Sequence, residues 1–294
     1  MTAYGIAPTG YRLPAATRLG RVTLQVANLE RSLVYYQEVL GMRVVTREAG
    51  VAALGAERGE TPLLELRARA GVAPVSRRGL LGLYHFAILL PDRAALGRLL
   101  RHLAERGVRA GSADHLVSEA IYLTDPDGLG IEVYADRPRE TWGLNGRELA
   151  MASDPLDVEE LIRTAGADRW SGMPAGTVIG HVHLHVGDLD EAAVFYHQGL
   201  GFDKMVWNYP GALFLGAGGY HHHLGTNTWA KGARPASDED ARLLEWEVLV
   251  PTGKDAGAAL DSLAGTGVSV ERVADGGTAW DPWGTLVRVR ATGA

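Results

Sequence analysis

The chain has 294 residues, enough for about two domains, and its 46% apolar and 22% charged residues argue against disorder. A formal charge of -6 at pH 7 and scattered Lys and Arg argue against a nucleic-acid groove. Cysteine is absent, which excludes disulfides, thiolate metal sites and a thiol nucleophile, so any metal must be held by His, Asp or Glu.

The opening MTAYGIAPTGYRLP lacks the apolar core of a secretory signal. The longest apolar run, around Leu80 to Leu90, is interrupted by His85 and is shorter than the about 20 residues of a membrane span. A cytoplasmic protein with no membrane or nucleic-acid partner is therefore expected. Gly20 to Met42 reads GRVTLQVANLERSLVYYQEVLGM, with alternating apolar residues and then helical spacing up to Gly41. That predicts a strand running into an amphipathic helix. Leu83 to Asp92, LYHFAILLPD, predicts another opening strand, followed by a helix over Arg93–Arg106. Asp125-Pro126-Asp127-Gly128 is turn chemistry and introduces a closing β segment. Residues 137–176 form a Pro- and Gly-containing connector with one predicted helix, Val158–Thr164. Gly180 to Phe202, GHVHLHVGDLDEAAVFYHQGLGF, repeats the first pattern 160 residues on, without a gap. Leu243 to Thr252, LLEWEVLVPT, repeats the second at the same offset, followed by a helix over Asp255–Gly265 and the turn Asp281-Pro282-Trp283-Gly284. Two separate pairs sharing one offset define four modules at about 18–70, 80–136, 177–230 and 242–291. Each reads as strand, helix and about three short strands. The first two make one region, residues 1–136, and the last two another, residues 177–294.

In each opening strand one face is apolar, and the other begins with an ionisable or ligand-type residue: Arg21, His85, His181 and Glu245. After the two Asp-Pro-x-Gly turns, Glu132 and Arg288 occupy equivalent places, and the third module ends in Gly218–Gly225 with His221, His222 and His223. Two His and one carboxylate that leave coordination positions open are the donor set of non-haem Fe(II) oxygenases. A lone strand His is more often a hydrogen-bonded core residue, so the metal reading rests on the matched repeat positions.

GLYHFAILLPDR at Gly82, HLVSEAIYLTDPDGLGIEVYADRPRETW at His115, GHVHLHVGDL at Gly180 and GGYHHHLGTNTW at Gly218 resemble the vicinal oxygen chelate superfamily. Within it they resemble the type I extradiol dioxygenases, in particular the bacillus-type catechol-2,3-dioxygenases. The resemblance implies an α+β fold of four βαβββ modules, the glyoxalase/bleomycin resistance/extradiol dioxygenase fold, paired into two cup-shaped half-barrels. In that fold one module gives a His from its first strand, and its partner gives a His and a Glu. Pairing the modules in sequence order places Arg21 with His85 and Glu132, which is no metal site. Pairing the second with the third completes a metal triad of His85, Glu132 and His181. The first and fourth then bring Arg21, Glu245 and Arg288 together as an ion cluster without metal.

The resemblance also implies roles around the metal. His222, in His222-His223-Leu224-Gly225, matches the acid-base His, while Tyr122 and His115 match residues that hydrogen-bond the substrate. His183 and His185 are expected to line the pocket or orient His181, and His102 and His197 to be solvated groups beside helices. The implied activity is Fe(II)-dependent cleavage of catechol or a substituted catechol beside its two hydroxyls, with both atoms of O2 entering the product. Mn(II) suits the same donors. The implied partners are a small aromatic diol and O2, and the oligomeric state, homo-oligomer included, stays open. The rival readings are a hydroquinone-cleaving dioxygenase, a glyoxalase-type isomerase and a metal-free binding protein of the bleomycin-resistance kind. The isomerase needs a second carboxylate where this chain has Tyr220-His221-His222-His223, and the binding protein lacks the triad.

Overall fold

Each module opens with a strand that buries its apolar face under its own helix. The computed structural model describes residues 4–57, 59, 61–76 and 79–292. The first module comprises β1 (Arg18–Val26), α1 (Leu29–Glu38), β2 (Arg43–Glu48), β3 (Val51–Gly55) and β4 (Leu64–Ala68). The second comprises β5 (Gly82–Leu89), α2 (Arg93–Glu105), β6 (Gly111–Asp114), β7 (Ser118–Thr124) and β8 (Gly130–Asp136). In the connector, a 3-10 turn (Arg139–Thr141) precedes a hairpin of β9 (Leu144–Asn145) and β10 (Glu148–Leu149), then α3 (Val158–Thr164). The third module comprises β11 (Val178–His185), α4 (Leu189–Ala192), β12 (Asp203–Val206), β13 (Ala212–Gly216) and β14 (Leu224–Asn227). The fourth comprises β15 (Arg242–Val250), α5 (Gly253–Gly265), β16 (Val270–Val273), β17 (Gly276–Trp280) and β18 (Leu286–Ala291).

The helices start where the sequence supplies a cap. The side chains of Asn28, Asp92, Asp188 and Thr252 each accept a first-turn backbone N–H, and all four stand at equivalent repeat positions. Gly107 and Gly267, with φ of 67° and 90°, take the left-handed conformation that ends α2 and α5. In the third module α4 continues as π-helical turns over Ala193–Gly199. That register turns His197 inward, where its Nδ1–H donates to the Phe202 carbonyl at 2.7 Å. His197 is therefore a core group and not the solvated one its helical position suggested. His102 is half-buried, 3.2 Å from the Glu38 carbonyl.

The strands form two eight-stranded sheets, ordered β16-β17-β18-β15-β1-β4-β3-β2 and β12-β13-β14-β11-β5-β8-β7-β6. In each, the two opening strands are antiparallel neighbours at the centre, and each runs parallel to the closing strand of its own module. The inner modules pair with each other, as do the outer ones, which is the crossed arrangement expected. Each sheet thus takes one module from each half of the chain. Buried apolar residues on the helix-covered faces, such as Val22, Leu24, Phe86, Ile88, Val182, Leu184, Trp246 and Val248, form the core. Both central seams slip register at matching places, between Thr23 and Leu24 and between His183 and Leu184. Such irregularities bend strands and increase twist, which helps a sheet curl.

The connector crosses the mouth of the inner sheet. Asp154 bridges to Asp114 on β6. The Glu148 carboxylate accepts the backbone N–H groups of Trp207 and Asn208 and, at 2.6 Å, the Asn208 side-chain amide. The closing strand of the third module begins only at Leu224, so His221–His223 lie in the segment that enters it. Among the described residues no helix is long and apolar enough to cross a membrane.

Candidate metal centre

His85 on β5, Glu132 on β8 and His181 on β11 meet on the concave face of the inner sheet. Strand register explains how. Ala87 of β5 lies opposite Glu132 on one side and His181 on the other. Its methyl leaves the central strand low, so carboxylate and imidazole reach each other above it, and His85 joins them from two residues away on the same face. His85 Nε2 is 3.0 Å from Glu132 Oε2, and His181 Nε2 is 3.3 Å from each of those atoms. Two donors about 2.1 Å from one ion and at right angles stand about 3 Å apart. The separations therefore fit one metal bound on a single face, with positions left open. All three residues are buried, and they are the one such meeting of His and carboxylate donors among the described residues.

Burial alone would push the Glu132 carboxyl up. The imidazoles of His181 and His85 outweigh it and hold the carboxyl well below its usual range. Burial brings His181 down to about 4, against the pull of Glu132. An ionised carboxylate beside a neutral imidazole is the protonation state that a metal requires.

Over these donors lies a cavity of about 210 Å³, larger than the about 150 Å³ that holds a benzene-sized ring. Tyr122 on β7 faces Glu132 across the seam. Its hydroxyl donates to His115 Nε2 at 2.5 Å, and His115 Nδ1–H donates to the Ala152 carbonyl at 2.6 Å. His115 sits in the β6–β7 hairpin beside Leu116, which adopts φ of 69°, a strained conformation for a residue with a side chain. The Asp114 carboxylate accepts the Leu116 N–H at 2.9 Å and helps hold that turn.

Of the three consecutive histidines, His222 lines the cavity, its ring 4.1 Å from that of His181. Burial keeps it well below the ordinary imidazole range, hence neutral. His221 turns to Asp136, and His223 accepts the Ala217 N–H at 3.2 Å. His183 lines the cavity and accepts the Asn227 side-chain amide at 2.9 Å, while His185 Nδ1–H donates to the oxygen of the same amide at 2.7 Å. Neither bonds to His181, whose Nδ1 has no partner among the described residues.

Several lining residues carried no signal that sequence reading used. Tyr84 and Trp229, 38% and 50% exposed, form the rim. Tyr209 and Phe214 form a wall, and Met151, Ala152 and Ser153 of the connector close another side. Trp229 lies close behind the histidine triplet and is findable from it. The connector residues have no chemistry or spacing that marks them.

At equivalent places in the outer sheet, the expected meeting of Arg21, Glu245 and Arg288 is only half realised. Arg288 grips Glu245 with two bonds, of 2.9 and 2.7 Å. Arg21 turns instead to Glu65 on β4, at 2.5 Å, and to Glu247, at 3.5 Å. Glu65 takes the guanidinium, while Glu247, which occupies the place of Ala87, accepts the Arg21 backbone N–H at 3.0 Å. A carboxylate thus stands where the inner sheet has a methyl, and Glu65 and Glu247 together hold Arg21 away from Glu245. Arg67 and Arg290 extend the network to Glu65 and Glu247.

Residues 18–133 and 178–287 match the family model of the glyoxalase/bleomycin resistance protein/dioxygenase superfamily, and the chain belongs to that superfamily. It is 43% identical over 270 residues to a catechol-2,3-dioxygenase of Bacillus subtilis (strain 168), covering 90% of this chain and 94% of the relative. This chain is an enzyme of the dioxygenase branch, an oxidoreductase. The fold is shared with a Bacillus subtilis crystal structure provisionally named a dioxygenase, at a TM-score of 0.65 and 15% identity, covering 97% of this chain and 87% of that one. It is also shared with glyoxalase I from Zea mays, at a TM-score of 0.56 and 20% identity, covering 94% and 92%.

Proposed function

We propose that this protein is a cytoplasmic Fe(II)-dependent extradiol dioxygenase that uses O2 to open the ring of catechol or a substituted catechol beside its two hydroxyls. The observation that carries this reading is the His85–Glu132–His181 cluster at the floor of a single-ring-sized cavity walled by His115, Tyr122 and His222. The name of the relative at 43% identity supports it. Two imidazoles and a carboxylate suit Fe(II), and Mn(II) by the same chemistry. When bound, the ferrous ion supplies Lewis acidity toward the diol oxygens and redox chemistry toward O2.

The chain supplies orientation and proton handling. Tyr122 keeps its proton and donates the hydrogen bond to His115, so its oxygen is free to accept from a diol hydroxyl and fix the ring in place. His222 is neutral and faces the same space, suited to take a hydroxyl proton and later return it. Phe214 and Tyr84 offer aromatic surface to the space that the ring would fill. Gly225 pairs with His183 as Glu132 pairs with Ala87, and Tyr220–His223 before it holds no carboxylate, so the second carboxylate that the four-ligand isomerases of this fold need is missing, which favours ring cleavage over isomerisation.

The test is anaerobic loading with Fe(II), followed by O2 uptake with a panel of catechols and hydroquinones. We expect one O2 consumed per catechol and a ring-opened product carrying two atoms from labelled O2. Uptake with hydroquinones alone would move the substrate class, and no uptake by iron-replete protein with any diol would overturn the reading.

A further inference from the structure

The geometry points to Asp136 and His221 as positioning residues that act through His222 and, with it, form a proton relay from the cavity to solvent. The inference rests on the ring-cleavage reading of the cavity. His221 Nε2 lies 2.8 Å from Asp136 Oδ1, and His221 Nδ1 lies 2.7 Å from His222 Nδ1. A carboxylate can only accept, so Nε2 of His221 carries the proton. With one proton per ring, His221 Nδ1 is then a bare acceptor, and the proton between the two rings belongs to His222 Nδ1. That leaves His222 Nε2 unprotonated, and it is the ring nitrogen free for the cavity that His222 lines. One carboxylate thus sets the tautomer of two rings in series, as the buried Asp sets that of a single His in hydrolytic triads.

The chain also leads somewhere. His221 has no exposed side-chain surface, whereas the Asp136 side chain is 27% exposed. Tyr134, Tyr220 and Trp142 surround His221, with ring centroids at 6.0, 4.1 and 5.3 Å, and keep water off the middle of the path. Tyr220 also donates to Asp136 Oδ1 at 3.2 Å. When a diol fills the cavity and closes its mouth, a proton taken at His222 Nε2 leaves by another route. His222 Nδ1 passes its proton to His221 Nδ1, His221 Nε2 passes its proton to Asp136, and Asp136 releases it to water. Both rings are left in the opposite tautomer, with His222 Nε2–H now a donor toward the cavity. Giving that proton to the product and drawing one back from solvent through Asp136 restores the start, so one proton leaves and one returns per turnover.

The test compares wild type with D136N, D136E and H221F, each full-length and Fe(II)-loaded. D136N keeps an acceptor for the hydrogen bonds but cannot be protonated. We expect it to retain full iron content and KM and to lose kcat about tenfold or more, toward the 10²–10⁴ that general acid-base catalysis is worth. Its solvent deuterium isotope effect on kcat should rise, and D136E should recover most of the rate. Nitrogen-15 NMR of the wild type loaded with diamagnetic Zn(II) should report Nε2–H for His221 and Nδ1–H for His222, a result independent of any substrate. If H221F does not fold, D136N and the NMR measurement still decide. Wild-type kcat in D136N, or the opposite tautomers, would overturn the relay. Absence of O2 uptake by iron-replete wild type with the tautomers as expected would instead break only the ring-cleavage reading.

Discussion

The inner and outer sheets use the same strand order, equivalent helix caps and matching slips of register. They differ at four equivalent places. His85, Ala87, Glu132 and His181 in the inner sheet face Glu245, Glu247, Arg288 and Arg21 in the outer one. In the inner sheet a methyl on the central strand lets donors from three strands converge, and their charges sum to one negative charge that favours a divalent cation. In the outer sheet Arg288 pairs with Glu245, and Arg21 pairs with Glu65 and, at longer range, with Glu247. The comparison teaches that the fold supplies a meeting point, and that the residue on the ridge between the donors decides whether they meet.

The largest effect should come from removing a donor. His85→Ala should abolish stoichiometric iron binding and turnover, whereas Arg21→Ala should leave both intact. Metal analysis with O2 uptake checks this, and full iron content in the His85 variant would refute the site. His222→Phe should keep iron and lose about 10²–10⁴-fold in kcat; loss of iron instead would make His222 a ligand. Ala87→Glu copies the outer ridge into the inner sheet. It should weaken metal binding at least about 10–100-fold, the scale of changes just outside a ligand set, as titration with a competing chelator would show.

Glu245→Ala strands Arg288, whose side chain is 30% exposed. Its cost should fall between that of a broken buried pair and an exposed one, about 1–3 kcal/mol by denaturant unfolding. Iron content and KM of the folded protein should not move.

Acid should also separate the sheets. Burial holds His223 down to about 3 and His222 well below the ordinary range. An imidazole whose folded pKa is lowered binds protons more readily when unfolded. Its contribution is therefore complete above about pH 6.5 and declines as pH falls toward the folded value. In metal-free protein, hydrogen exchange between pH 7 and pH 5 should accelerate in the inner sheet first, and equal acceleration in both sheets would contradict this.

The four modules were legible because one offset recurs in two pairs of segments. His85, Glu132 and His181 were legible because they are ligand types at repeat-equivalent positions, and crossed pairing followed from the only combination that completes them. Ala87 was silent, since a methyl that matters by being small has no chemical signature. Its counterpart Glu247 was visible as a charge, but its reach to Arg21 depends on the seam between β1 and β15. Asp136 read as the end of a strand, and only the fold brings it to a histidine 85 positions away. The burial of His197 follows from π-helical turns, which the periodicity of its segment did not announce.

Crossed pairing has a consequence for how the chain is made. Synthesis runs from the amino end, so β5 and β11 are both available to pair before β15 exists. The inner cup, with its His85, Glu132 and His181 donors, can therefore close while the chain is still growing. β1, although first to emerge, keeps one edge open until the fourth module arrives, because its antiparallel neighbour is β15. The longest wait in this molecule thus falls on its earliest strand, whose Leu24 and Val26 are fully covered in the finished fold. An unpaired apolar edge held open during synthesis is a hazard for aggregation. The outer sheet, built from the first and fourth modules, is the last part to become safe.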